Sequence, residues 1–415
     1  MREGREMQIG DLDWPQLVPP GALVAWGQAS AEPASLTGAL IAARSAVGPF
    51  RAFAGISYGA SVSPDAAGEI DYLSYCGTGA NRALGTSLDI LPVHYSALAG
   101  TLRRIAGDKL VLLLQLAPGA DADSFSFGAG ADYPADLIDA ASLVIAEVSD
   151  AAPRTGTGRD VHRSQIDLIV RTDRPCLAPP PVSIGGTEAR IAEHVAGLVP
   201  DGATIQIGLG TLPAAILSAL KTHRDLGIHS GLFTREIADL IDAGIVTNAR
   251  KTLDAGQTVA GLLSGDETLM RWADDASALT LRPSSYTHAI GTLARLDRFV
   301  AINSAVEVDL TGQVNAEIAG GRYVGAVGGS ANFLRGAAAS NGGVGIIALP
   351  STAGSRSRIV SALSGPVTTS RADVAFVVTE YGVADLRDAT LDERRERMLA
   401  IAHPEHREAI ASAGA

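Results

Sequence analysis

The segment Ile205-Gln206-Ile207-Gly208-Leu209-Gly210-Thr211-Leu212-Pro213 runs from an apolar stretch through a Gly-x-Gly turn into a helix-forming stretch. Glycines let a ligand approach the backbone closely, and proline is favoured where a helix opens. The unpaired N–H groups and the dipole at that helix end attract phosphate. A second glycine turn, Gly328-Gly329, precedes Ser330, Asn332 and Arg335. It offers main-chain donors to a developing oxyanion or an acyl carbonyl, and a cation to phosphate. A purely structural turn weighs about equally at this second motif. A third segment, Gly55-Ile56-Ser57-Tyr58-Gly59, has the spacing of a nucleophile elbow. An elbow runs straight into a helix, whereas Ala60-Ser61-Val62-Ser63-Pro64 starts one poorly, so Ser57 is not expected to be a hydrolase nucleophile. Two histidines flank Glu405, His403 and His406; without a third ligand they read as a helix start rather than a metal site. His288 follows the loop-like Arg282–Thr287, where a polar side chain can face a ligand, while His229 reads as a structural histidine.

These motifs must be positioned by alternating strands and helices. Short apolar runs between turn signals predict strands over Leu110–Gln115, Ser142–Val148, Thr204–Ile207, Phe299–Ile302, Val344–Ala348 and Val374–Thr379. Amphipathic stretches lie between them, which predicts parallel sheets covered by helices. A helix is expected from Thr187, with Ile191, Val195 and Leu198 on one face. Another should open at Thr390 through a capping box with Glu393. The run Pro179-Pro180-Pro181 followed by Gly185-Gly186 suits neither helix nor inner strand, and places a boundary between domains 1–185 and 186–415.

The two sides resemble each other. Leu17-Val18-Pro19-Pro20-Gly21-Ala22 and Leu198-Val199-Pro200-Asp201-Gly202-Ala203 lie at matching distances before Gly27 and Gly208. Leu143–Glu147 and Phe376–Glu380 both run an apolar strand out to a glutamate. We read a duplication of one α/β unit: two similar open, mostly parallel sheets with flanking helices.

Composition narrows the function. With 47% apolar and 19% charged residues the chain has material for large cores. A net charge of −12 argues against wrapping nucleic acid and leaves local N–H groups and a few cations to hold a polyanionic ligand. The first glycine turn is not a dinucleotide fingerprint. Pro213 replaces the third glycine, and the next strand candidate ends at Gly231 rather than at an acid, so NAD is disfavoured. Cys76 and Cys176 form no metal or redox motif and read as thiols of a reducing cytosol. The charged start Met1–Glu6 lacks the apolar core of a secretory signal, and no apolar run approaches the roughly 18 residues of a membrane span. A cytoplasmic protein is expected.

Residues 302–329 (INSAVEVDLTGQVNAEIAGGRYVGAVGG), 346–355 (IIALPSTAGS), 357–360 (SRIV), 367–387 (VTTSRADVAFVVTEYGVADLR) and 401–408 (IAHPEHRE) resemble the acetyl-CoA hydrolase/transferase family of class I CoA-transferases. The resemblance spans nearly the whole chain and is densest from about residue 190 to 410. It implies two similar α/β domains with the active site between them, coenzyme A as a substrate moiety, no metal, and a homo-oligomer. It also implies a glutamate that attacks the acyl-CoA thioester and becomes a mixed anhydride, then a glutamyl-CoA thioester. The matching segment here reads Ile228-His229-Ser230-Gly231, so Gly231 stands where that glutamate is usual. Gly208 and Gly210 match the family's first glycine loop. Gly328 and Gly329 match the second, which supplies a donor to the thioester carbonyl. Asn332 stands where an aspartate is usual, and Arg335 follows. His288 matches a position, often asparagine, lining the acyl site. Glu307, Asn315, Glu380 and Tyr381 match further positions.

Three readings follow. In the first, an acyl-CoA-dependent enzyme lets an acceptor amine, alcohol or water attack the thioester directly, in the neutral space left beside Gly231. In the second, an ordinary CoA-transferase draws its nucleophile from elsewhere, with Glu307 or Glu147 as candidates. In the third, the protein binds CoA without turning it over.

Overall fold

Leu110 to Leu114 is an unbroken apolar run, which fits a strand covered on both faces. In the computed structural model, which describes residues 2–156, 158, 160–181 and 183–413, this run is buried throughout. It belongs to β6 of a large parallel sheet. The strands are β1 (Arg5–Glu6), β2 (Leu23–Trp26), β3 (Phe50–Phe53), β4 (Ile70–Ser74), β5 (Leu88–Ile90), β6 (Leu110–Pro118), β7 (Leu143–Ser149) and β8 (Leu168–Thr172). Their order is β1-β8-β7-β6-β2-β3-β4-β5, with every neighbouring pair parallel. Helix α1 (Ala34–Val47) packs Leu36 and Leu40 into the core formed with Val24, Trp26 and Val111.

A second sheet contains β9 (Thr204–Ile207), β10 (Gly227–Ile228), β11 (Phe299–Asn303), β12 (Val344–Ala348), β13 (Phe376–Thr379) and β14 (Gly382–Asp385). Its order is β10-β9-β11-β12-β13-β14, parallel except for the antiparallel pair β13–β14. Flanking it are α2 (Gly186–Ala196), α3 (Thr211–Ala219), α4 (Ser330–Ala339) and α5 (Leu391–Ile401). Ile191 and Val195 of α2 are fully buried, and α5 opens with both bonds of the Thr390–Glu393 capping box. The fold is α/β with two mostly parallel sheets.

The described residues divide into two compact units. Residues up to Pro180 form the first together with Leu232–Arg235 and Val259–Thr287; Pro181–Gly231, Glu236–Thr258 and the chain from His288 onward form the second. Segments 232–235 and 259–287, which the linear division at 185/186 assigned to the C-terminal half, thus cluster with the first unit. Main-chain bonds account for it: Leu263 N–H donates to Ala129 O at 2.7 Å, and Ala131 and Asp132 donate to Gly261 O at 3.1 and 3.2 Å. Asp136 also accepts from the Ser284 hydroxyl at 2.8 Å and the Ser285 amide at 2.9 Å.

Both sheets share one topology around the repeated motif. The strand after each Val-Pro motif lies between its successor and a strand from later in the chain: β6-β2-β3 and β11-β9-β10. Carried outward, this pairs β7 with β12 and β8 with β13. The sequence match of Leu143–Glu147 with Phe376–Glu380 joins β7 to β13 instead, one strand out of step. Two apolar runs ending in glutamate look alike because both are buried on two faces, not because they hold equivalent places.

Among the described residues, no helix is long and apolar enough to cross a membrane.

Candidate functional site

In an open parallel sheet, ligands bind at the carboxyl ends of the strands where the order of connections reverses. In the second unit this point is β9, because the chain moves to β10 on one side and to β11 on the other. Gly208 follows the last residue of β9 and Gly210 caps α3 at φ +114°. A Cβ added at either glycine meets nothing within 4 Å, so packing does not demand glycine at either position, while the positive φ favours it at Gly210. The helix begins at Thr211, not at Pro213 as expected. Pro213 therefore lies third, still within the first turn, whose N–H groups have no intrahelical partner.

Gly231 reaches the same edge through a hydrogen-bonded register. His229 N–H donates to Ile205 O at 3.0 Å, and the Ser230 hydroxyl donates to Ile207 O at 2.9 Å. Ser230 is thus spent on pinning Gly231 beside the Gly208 turn. Among the described residues no strand pairs with the far side of β10, and side chains take the backbone groups of Ile228: its N–H donates to Asn248 Oδ1 at 2.9 Å, and Lys251 Nζ donates to its O at 3.0 Å. Burial pulls Lys251 down to about 8.

His288 and Gly329 converge on Gly231. A Cβ placed on Gly231 would sit 3.1 Å from Cε1 and Nε2 of His288, and one placed on Gly329 would sit 2.6 Å from Nε2. The space beside Gly231, expected to be empty, is filled by an imidazole. Phe333, one helical turn beyond Gly329 on α4, packs its ring 4.5 Å from that of His288 at a tilt of 47°. Its place in this cluster was missed; the four-residue spacing from Gly329 was the available signal. The imidazole is 4% exposed, and burial, with His229 nearby, holds it down to about 3, so it is uncharged at neutral pH. His288 directly follows a short helix, Ser284–Thr287, rather than the expected loop.

Gly328 sits at φ +53°, a conformation that favours glycine, and Gly329 caps α4. Asn332 is buried in the helix's first turns. Arg335 Nε meets Asp373 Oδ2 at 3.0 Å in an ion pair whose arginine is half-exposed.

The candidate replacement carboxylates are engaged. Glu307 accepts from Asn315 Nδ2 at 3.0 Å, from Ser364 N–H at 2.6 Å, and from the Ser364 hydroxyl at 2.9 and 3.1 Å. In the other unit, Glu147 accepts from the Ser35 amide and hydroxyl at 2.8 and 2.9 Å, from Leu36 N–H at 3.1 Å, and pairs with Arg174 at 3.3 Å. Glu380 takes the amide and hydroxyl of Ser351 at 2.8 and 2.6 Å, and the rings of Tyr381 and His403 meet edge to face. Ser57 is 2% exposed and donates to the fully buried Glu32 at 2.9 Å, so the elbow-like motif is a buried bend.

The site thus sits on glycine turns at the carboxyl edge of the mostly parallel sheet of an α/β protein. Comparison with known proteins narrows this class. Residues 265–413 match the acetyl-CoA hydrolase/transferase C-terminal domain. The 4-hydroxybutyrate coenzyme A transferase of Clostridium kluyveri is 40% identical over 304 residues, covering 72% of this chain and 71% of that protein. Butyryl-CoA:acetate CoA-transferase of Anaerostipes caccae is 34% identical, covering 77% and 74%. The structure of RipA from Yersinia pestis superposes with a TM-score of 0.91 at 31% identity, over 99% of this chain and 96% of that one. This chain belongs to the acetyl-CoA hydrolase/transferase family and is an enzyme of that family.

Proposed function

We propose that the protein binds an acyl-CoA thioester and passes the acyl group directly to an acceptor, without a covalent glutamyl intermediate. The observation that carries this reading is Gly231 packed against an uncharged imidazole where relatives are expected to hold a carboxylate. Gly208 and Gly210 receive the anionic part of CoA through α3's open N–H groups. Gly328 and Gly329, with Asn332, frame the thioester. The acceptor is an amine, an alcohol or water. It bonds to the carbonyl carbon, the C–S bond breaks, and CoA leaves as a thiolate that takes up the acceptor's proton. A thioester is already activated. Each oxyanion donor contributes about 3–4 kcal/mol, as judged by single removals in other enzymes. Holding the acceptor in place adds roughly 7–11 kcal/mol in the best cases. An ordinary CoA-transferase needs another carboxylate; Glu307 and Glu147 each already accept three or more hydrogen bonds or ion pairs.

The test is intact-protein mass spectrometry after mixing with acetyl-, butyryl- or succinyl-CoA, with thiol release followed in parallel across acceptors including acids. Thiol release with no adduct is expected: without an added acceptor where water attacks, or dependent on an added amine or alcohol and then with intersecting initial-velocity lines. A glutamyl-CoA mass on any peptide, or ping-pong kinetics between acids, would overturn the proposal.

A further inference from the structure

We propose that Asn248 and Lys251 are positioning residues for acyl transfer: they stand in for a strand along the outer edge of β10 and so fix Gly231, which follows it. This rests on an acyl site at Gly231, as in the reading above, but not on the route that the acyl group takes. In a parallel strand, the backbone groups of alternate residues point to opposite sides. Toward β9, Gly227 and His229 donate to Ala203 O and Ile205 O at 2.8 and 3.0 Å. On the outer side Leu226 still meets main chain. Its N–H donates to Ile245 O at 2.9 Å, and its O accepts from the amides of Thr247 and Asn248, both at 3.0 Å. At Asn248 the chain turns to φ +56°, and at Ile228 side chains take over from the main chain.

Each of these side chains is fastened twice. Asn248 Oδ1 accepts from Ile228 N–H at 2.9 Å, while its Nδ2 donates to the hydroxyl of the buried Thr258 at 2.9 Å. Lys251 Nζ donates to Ile228 O at 3.0 Å and to Gln257 O at 2.6 Å. The lysine stem crosses the face of Gly227, where a Cβ would lie 2.6 Å from Lys251 Cγ, which accounts for that glycine. Asn248 and Lys251 are 2% and 5% exposed, so water is a poor replacement for either. A displacement of about 1 Å at a reacting centre can cost roughly 100-fold in rate. Loss of positioning acts on the reacting geometry, so it lowers kcat more than it raises KM. Burial draws Lys251 down to about 8, with Asp254 the charged group opposing that shift. Above that pH the amine still donates to its carbonyls but loses the charge that strengthens the bonds.

The experiment measures thiol release from acyl-CoA per folded molecule, together with backbone hydrogen exchange over residues 226–231, in Asn248→Gly, Asn248→Asp and Lys251→Met. Glycine adopts a positive φ readily, so Asn248→Gly removes the side chain without straining the turn. Asn248→Gly and Lys251→Met should speed exchange over 226–231 and lower kcat about 10- to 100-fold, with KM within about threefold. Asn248→Asp keeps an acceptor for Ile228 N–H and should hold kcat within about fivefold of wild type. The ratio of wild-type kcat to that of Lys251→Met should fall about threefold from pH 7 to 9, as the ammonium loses its charge. Faster exchange with kcat unchanged in Asn248→Gly, or equal losses of kcat in Asn248→Gly and Asn248→Asp, overturns the proposal. A ratio that stays flat from pH 7 to 9 removes Lys251 from it. If Lys251→Met does not fold, the two Asn248 variants decide. A glutamyl-CoA adduct or ping-pong kinetics would refute direct transfer and leave each of these outcomes readable.

Discussion

Gly231 is a glycine by content rather than by backbone need, because its φ lies outside the left-handed region that favours glycine. What resists a side chain there is His288 at 3.1 Å. Gly231→Glu alone should therefore fold with a loss of about 1–3 kcal/mol from overpacking. Gly231→Glu combined with His288→Asn should regain most of it, because the shorter amide withdraws from the new side chain. Thermal melting checks the first part. Mass spectrometry with acyl-CoA checks the second, where the double variant should form a glutamyl-CoA adduct that the single variant forms poorly. Equal adduct yields in the two variants would show that His288 does not control this space. At this scale the sequence was readable wherever the signal was local. Gly208, Gly210 and Gly328 announce themselves by spacing, since a turn's demands fall on adjacent residues. The meeting of Gly231, His288 and Gly329 joins three segments far apart in the chain, and no local rule carries such a contact. Arg335's ion pair is another such contact, since its partner Asp373 lies well downstream.

The strands of the two sheets follow from burial. Thr204–Ile207 and Val344–Ala348 have the bounds their apolar runs suggest, because a strand covered on both faces has no polar alternation to blur its ends. Edges are harder. Gly227–Ile228 is two residues long and depends on Asn248 and Lys251, which no strand pattern reveals. The short strand Glu307–Asp309 illustrates a carboxylate used as a fastener. It pairs antiparallel with Val314–Asn315, and Glu307 ties Asn315 and Ser364 together. Glu307→Gln should lower stability by about 1–3 kcal/mol, because an amide presents a donor where three donors already converge. Its acyl-transfer rate should stay within about tenfold. Urea melts and thiol-release assays decide, and a folded Glu307→Gln enzyme with no turnover would restore Glu307 as a nucleophile.

On the scale of the whole molecule, the chain does not divide at one linker, because residues 232–235 and 259–287 pack into the first unit. Pro179–Pro181 marks the first crossing well, since proline excludes helix and inner strand. The later crossings carry no such composition. One anchor of the returning segment is Asp132, whose N–H donates to Gly261 O at 3.2 Å. It sits at φ +37°, costly for a residue with a Cβ, and its carboxylate accepts from Tyr95 Oη and Gln28 Nε2, both at 2.6 Å. Burial pushes this carboxyl up to about 6, against its hydrogen bonds and with Asp136 adding to the rise. Burial also holds Tyr75, Tyr95 and Tyr133 well above their ordinary range, so they stay protonated near neutrality. The folded state therefore binds a proton on Asp132 between the ordinary aspartate value, about 3.9, and about 6, where the unfolded chain does not. Its contribution to stability is full below that window and is lost as pH rises through it. The side-chain amide of an Asp132→Asn variant cannot titrate. The melting temperature of the variant relative to wild type should thus rise by roughly 5 °C between pH 4 and 6 and stay level above. A difference that is flat across that range, or that shrinks with rising pH, would mean that the buried Asp132 carboxyl is already ionised at pH 4.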